Sequence, residues 1–208
     1  MGKRLSISLR GGSTMSSTFF ADTGCVVVRE FIDPLTIKTV SRYMENMVNH
    51  GAYSLRDSET SKFSKYSDPL IELVLEDSKV EVEKVVGREL YPTYSFARLY
   101  MDENELKSHT DRPSCEYSVT VNVATVGELW PIQMKNLQGV DLKVVLNPGD
   151  AIIYKGCEVL HWRDPMFVSN TKLNAQFMLH YVDKKGPFSD YKFDKRPKLG
   201  LAECNRGT

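Results

Sequence analysis

Charge of one sign is what this 208-residue chain most plainly lacks. It has 27 Lys and Arg against 27 Asp and Glu, for a formal net charge of zero. No run of like charge breaks that balance, so nothing in it suggests a nucleic-acid partner held by a basic field. No segment approaches the ~20 apolar residues that a membrane-spanning helix needs, and no membrane partner is expected. Cysteine is scarce and scattered: Cys25, Cys115, Cys157 and Cys204 form no CxxC pair. With no secretory apolar region at the start, they read as reduced thiols of a cytoplasmic protein. Internal repeats are absent.

What remains is an ordinary globular composition, 41% hydrophobic and 26% charged, of a length that suits one domain. Residues 1–18 are polar and Gly/Ser-rich and read as a flexible leader, with Met15 as an alternative start. Residues 19–195 read as the folded domain and 196–208 as an irregular tail. The run from Phe19 to Phe31, centred on Cys25–Val28, reads as a strand. Asp33-Pro34 and Asp68-Pro69 each place an N-capping carboxylate before a proline at the first helical position. They open two helices, which Gly51 and Gly87 stop. Residues 54–67 read as loop. After Tyr91 the pattern turns to short extended segments at 93–101, 116–125, 129–134, 141–146, 150–156, 158–162 and 172–182, punctuated by turn residues. Two helices followed by many short strands predict an α+β fold, a double-stranded β-helix (jelly roll) backed by two N-terminal helices.

The chemistry points to His109-Thr-Asp111 and to His161. In an extended segment side chains alternate, so a His-x-Asp pair presents both groups on one side. A second histidine from a distant strand would complete a 2-His-1-carboxylate triad, which binds one face of Fe(II) and leaves the opposite positions open. The last strand alternates too. Lys172, Asn174, Gln176 and His180 share one face, and Leu173, Ala175, Phe177, Leu179 and Tyr181 the other. The polar row either faces water or lines a cavity between sheets.

Taken in order, Tyr94–Tyr100, Leu106–Arg112, Ser114–Asn122, Pro148–Asp150, Tyr154–Cys157, His161–Pro165 and Gln176–Tyr181 resemble the 2-oxoglutarate/Fe(II)-dependent dioxygenases. The likeness is to the prolyl-hydroxylase-like branch, in its small single-domain form, and it covers about residues 20 to 195. The resemblance implies His109, Asp111 and His161 as catalytic iron ligands, with 2-oxoglutarate as co-substrate, O2 as oxidant and ascorbate as a reductant. It implies a basic residue for the C5 carboxylate of 2-oxoglutarate. Lys172, eleven positions after His161, matches that place, and Arg163 is its competitor. Tyr100, Thr120, Asn122 and Gln176 are the further co-substrate candidates, while the tyrosine that some relatives carry near Asn122 is Ala124 here.

The implied activity couples oxidative decarboxylation of 2-oxoglutarate to hydroxylation of an unactivated C–H bond. The expected substrate is a prolyl residue in a protein or peptide. The carboxylate Asp111 favours hydroxylation, because related halogenases carry a small residue there. The alternatives are hydroxylation of a free amino acid or other small metabolite, and a jelly-roll sensor that binds metal without turnover. Nucleic-acid demethylation is disfavoured, since 169–184 contains no arginine to make the paired-arginine motif of that branch.

Overall fold

The computed structural model describes residues 13–53, 63–101 and 104–200. Three helices precede most of the sheet: α1 (Ser13–Thr23), α2 (Pro34–Asn49) and α3 (Pro69–Val86). Both Asp-Pro starts form as the sequence predicts. Asp33 accepts hydrogen bonds from the Leu35 and Thr36 amides, and Asp68 from those of Leu70 and Ile71. Gly87 ends α3 in the left-handed conformation at φ 72°, where a side chain would be strained.

Among the described residues the strands are β1 (Cys25–Val28), β2 (Phe63–Tyr66), β3 (Leu90–Met101), β4 (Leu106–His109), β5 (Tyr117–Gly127), β6 (Ile132–Lys135), β7 (Asp141–Val144), β8 (Ala151–Lys155), β9 (Leu160–Arg163) and β10 (Thr171–Asp183). They make two antiparallel sheets. The larger runs β1-β8-β5-β10-β3-β2 and the smaller β4-β9-β6-β7. This is the α+β double-stranded β-helix that the alternation predicts.

Two cores follow from the two faces of the large sheet. Its outer face carries Phe177, Leu179 and Tyr181 of β10 against Ile71, Leu75 and Val82 of α3, all essentially inaccessible to solvent. The Tyr181 hydroxyl donates to the Leu75 carbonyl across that contact at 2.7 Å. The inner face meets the small sheet through Val27, Ile132, Met134, Ile152 and Val159. The polar row of β10 therefore looks inward: Asn174, Gln176 and His180 are all buried. Of the two orientations left open for that row, the cavity-lining one holds for Gln176 and His180, whereas Lys172 is exposed.

Three expectations need correction, and the tail, irregular at 196–200, is nonetheless anchored. Phe19 and Phe20 belong to α1 rather than to a strand, because Phe20 anchors the helix in the core at 1% exposure and Gly24 turns the chain (φ 74°) before β1. Helix α1 thus takes in residues 13–18 of the expected leader and makes three helices of the predicted two; residues 1–12 lie outside the described residues. The predicted loop 54–67 ends in β2, which pairs with β3, with 54–62 outside the described residues. The tail is held as far as it is described: Arg196 is buried and pairs with Glu72 at 2.7 Å. Residues 201–208, including Cys204, lie outside the described residues. Cys25, Cys115 and Cys157 are free thiols. No helix among the described residues is long and apolar enough to cross a membrane.

Candidate metal centre and its pocket

Strand pairing places the first and third candidate ligands opposite one another. His109 ends β4, and its register partner on β9 is His161. Their rings lie 4.3 Å apart between centroids. Asp111 follows two residues on, where its amide donates to the Gly156 carbonyl at 2.8 Å. One carboxylate oxygen, Oδ1, then stands 3.6 Å from Nε2 of each histidine. The three ligand atoms all fall within 4.8 Å of one another.

The neighbouring groups fix what each ligand can offer. Nδ1 of His109 lies 2.8 Å from the Lys107 carbonyl, and Nδ1 of His161 lies 2.9 Å from that of Val159. A carbonyl only accepts, so Nδ1 carries the proton and Nε2 presents its lone pair to the centre. Ser118 donates to the other Asp111 oxygen, Oδ2, at 2.7 Å. Burial lowers the His161 pKa and keeps that ring neutral, the state a metal ligand needs. His109 is pushed up, chiefly by its contact with Asp111. Burial alone would raise the Asp111 carboxyl, but the His109 contact and the neighbouring rings outweigh it and hold it below the ordinary range. A pair of neutral-capable imidazoles and one carboxylate, facing a common point and open on one side, fit a divalent iron-type ion.

Gly156 is the residue that pattern reading passed over. A Cβ there would lie 2.5 Å from Asp111 Oδ2 and 2.2 Å from the Cys115 carbonyl. Its bare backbone is what lets the carboxylate sit in place. In the sequence it looks like an ordinary turn glycine after Lys155. Ser118 was equally silent, although it lies two residues before Thr120 on the same inward face. A second cluster, Asp111, Cys115 and His180, also brings ligand atoms within 4.8 Å. It is poorly suited to an ion. Burial raises the Cys115 thiol to about 12, its sulfur is hydrogen-bonded to Tyr94, and His180 Nδ1 is engaged by Ser118 at 3.0 Å.

The triad opens onto a cleft whose walls include Tyr100, Thr120, Tyr154, Gln176 and Arg98. Tyr100 is 1% exposed, and its hydroxyl lies 3.4 Å from Gln176 Nε2 and 3.3 Å from Arg98. Arg163 does not itself line the cleft; it is 3% exposed and touches the wall through Gln176. It donates to the Trp130 carbonyl and, at 2.8 Å, to Gln176 Oε1, with its guanidinium 4.8 Å over the Trp130 ring. Its Nε has no hydrogen-bond partner. Among the described residues no carboxylate pairs with it, and burial lowers its pKa to about 10. A buried cation without a counter-ion is costly unless an anion joins it.

Two of the expected co-substrate residues are elsewhere. Lys172 is exposed and is absent from the cleft wall. The pairing of β10 with β5 shifts register between Thr171 and Leu173, so alternation is broken there and Lys172 falls out of phase with Asn174 and Gln176. Asn122 is buried but already committed. It donates to the Leu146 carbonyl at 2.9 Å and accepts from Asn174 at 2.9 Å, which ties β5 to its neighbours away from the cleft. Thr120 does line the cleft, 3.5 Å from the Tyr154 hydroxyl.

No protein-family model matches the chain, and no curated protein matches it. Solved structures do match its fold. One is the non-heme alpha-ketoglutarate-dependent epimerase SnoN from nogalamycin biosynthesis, at 12% identity and a TM-score of 0.69 over 91% of each chain. A Pseudomonas putida prolyl-4-hydroxylase aligns at 10% identity and 0.66 over 83% of this chain and 99% of its own. EctD from S. alaskensis, solved with 2-oxoglutarate and 5-hydroxyectoine, aligns at 14% identity and 0.65 over 82% of this chain and 76% of its own. The likeness is one of fold: these proteins and this chain share the same double-stranded β-helix.

Proposed function

We propose that the protein is an Fe(II)- and 2-oxoglutarate-dependent oxygenase. The observation that carries this reading is the pairing of two features at one cleft. His109, Asp111 and His161 converge on a point open to the cleft, and Arg163, buried and with no carboxylate partner among the described residues, touches the cleft wall through Gln176. A dicarboxylate that chelates a metal at one end needs a cation at the other.

His109, Asp111 and His161 would hold the iron. Arg163 would hold the distal carboxylate of 2-oxoglutarate, with Gln176, whose Oε1 already fills one of its donor positions, and with Tyr100 and Thr120 shaping the wall. Bound together, iron and 2-oxoglutarate supply an O2-dependent oxidation that releases succinate and CO2. The chain keeps both histidines in the ligating tautomer, orients Asp111 through Ser118, and screens the distal carboxylate from water with Tyr100 and Trp130.

For the substrate we infer hydroxylation of a prolyl residue in a protein or peptide, which rests on the ordered motifs of the prolyl-hydroxylase-like branch and on Asp111 being a carboxylate. The fold relatives are varied, among them a prolyl-4-hydroxylase and an epimerase, so the direct test spans substrates. Purified protein with Fe(II), 2-oxoglutarate and O2 is assayed for succinate with prolyl peptides, free amino acids and no addition. Stimulation by prolyl peptides with a +16 Da product is the expected result. Stimulation by free amino acids alone moves the substrate to small metabolites, and no succinate with any addition leaves a metal-binding protein without turnover.

A further inference from the structure

The residue after the metal carboxylate is an arginine, and the chain goes to some length to hold it elsewhere. Arg112 forms a two-pronged ion pair with Asp194, Nη1 to Oδ1 at 3.0 Å and Nη2 to Oδ2 at 2.8 Å. Tyr66 donates to Asp194 Oδ2 at 2.6 Å. The Arg112 guanidinium lies 4.7 Å over the Tyr94 ring, whose own neighbour is the His180 ring at 4.5 Å. Asp194 belongs to the strap Ser189–Lys195 that follows β10. Phe193, Asp194 and Lys195 are three consecutive non-glycine residues at φ 53°, 54° and 62°, a conformation that side chains resist. Directly after them Arg196 is buried on Glu72 and the Thr93 carbonyl, which pins the strap.

We propose that Asp194 is a positioning residue for the metal centre: it keeps the Arg112 guanidinium away from Asp111, so that the carboxylate stays available to the ion. The proposal rests on the triad being the metal site. A guanidinium offers five donors in a planar fork that suits a carboxylate. Released from Asp194, it would be the nearest mobile cation to Asp111 along the chain. It would then compete with the metal for the same oxygens and draw Asp111 off Ser118.

The test uses Co(II) as the probe, titrated into full-length protein and followed by its visible ligand-field absorption. Wild-type protein should bind, and Asp111→Ala should not; failure of either control sinks the metal site itself and not the role of Asp194. Given both controls, Asp194→Asn should weaken Co(II) binding by about tenfold, the scale seen when a ligand's supporting partner is lost. Adding Arg112→Gln to Asp194→Asn should bring the affinity back to within about twofold of wild type, because the competitor is gone. A strap that merely supports the fold predicts the reverse, with the double variant no better than the single. Either that result or an Asp194→Asn protein that binds Co(II) like wild type overturns the proposal. Should Asp194→Asn fail to fold, Tyr66→Phe removes one donor to Asp194 and leaves the ion pair. It should weaken Co(II) by about threefold, reversibly by Arg112→Gln, and no change there would equally overturn the proposal.

Discussion

The two ends of the cleft are built in different ways. At the metal end each group is held by its near neighbours: each histidine by a carbonyl two residues upstream, and Asp111 by Ser118, seven residues away. Around Arg163 the contacts that hold the guanidinium are more remote in sequence. Arg163 reaches Gln176 thirteen residues on and the Trp130 carbonyl thirty-three back, and Gln176 reaches Tyr100 across seventy-six. The first end is a local motif that the strands display. The second exists only once β3, β9, β10 and the loop before β6 have come together.

That contrast can be broken by mutation. The largest effect should come from Asp111→Ala, which removes the one anionic ligand; metal binding and succinate formation should both fall below detection while circular dichroism stays native. Arg163→Ala should spare the metal but strand the distal carboxylate, costing on the order of 3–5 kcal/mol, or about a hundred-fold to a few-thousand-fold, in 2-oxoglutarate affinity by calorimetry. Arg163→Lys should recover only part, since a point charge cannot make the same fork. Gly156→Ala should destabilise by about 1–3 kcal/mol through overpacking against Asp111 and the Cys115 carbonyl, with weakened metal binding as its second readout.

A smaller effect is expected from pH. Burial pushes the Asp194 carboxyl up, but hydrogen bonds from Arg112 and Tyr66 prevail and hold it below the ordinary range, as the surroundings of Asp111 also do. The unfolded chain therefore binds more protons at these sites than the folded one. Their contribution is complete above the ordinary carboxylate range, near pH 4, and is lost as pH falls through the depressed folded values. Thermal midpoints measured from neutral pH downward should drop there, and less steeply in Asp194→Asn. Smallest of all, Lys172→Ala should leave 2-oxoglutarate affinity within about twofold, as an exposed lysine's loss generally does. A large loss would return the anchoring role to Lys172.

The same division explains what could be read from the sequence. The Asp-Pro helix starts and the alternating strands depend on short-range rules, and they stand where the pattern put them. The His-x-Asp pair and the distal histidine were legible because extended backbone has a fixed period. Lys172 was misplaced because that period was carried through a bulge the sequence does not announce. Asn122 is a polar residue on an alternating strand, but the buried groups it satisfies, Asn174 of β10 and the Leu146 carbonyl in the turn before β8, come from elsewhere in the chain. Phe19 and Phe20 read as a strand because an apolar pair beside Cys25–Val28 has no period of its own. Gly156 carries no signal beyond that of a turn, since its role lies in what it lacks.

One further consequence belongs to biosynthesis. Strand β10 is the last strand among the described residues, yet it lies in the middle of the large sheet, between β5 and β3. As the chain leaves the ribosome, β3 and β5 both wait with open edges, the kind of edge that invites pairing with another chain. Closure comes only after residue 183 has emerged, and the Arg196–Glu72 anchor later still. Closure therefore waits for the centre of the sheet: a nascent chain stalled before β10 already has all three metal ligands but lacks the part of the cleft wall that Gln176, Met178 and His180 supply.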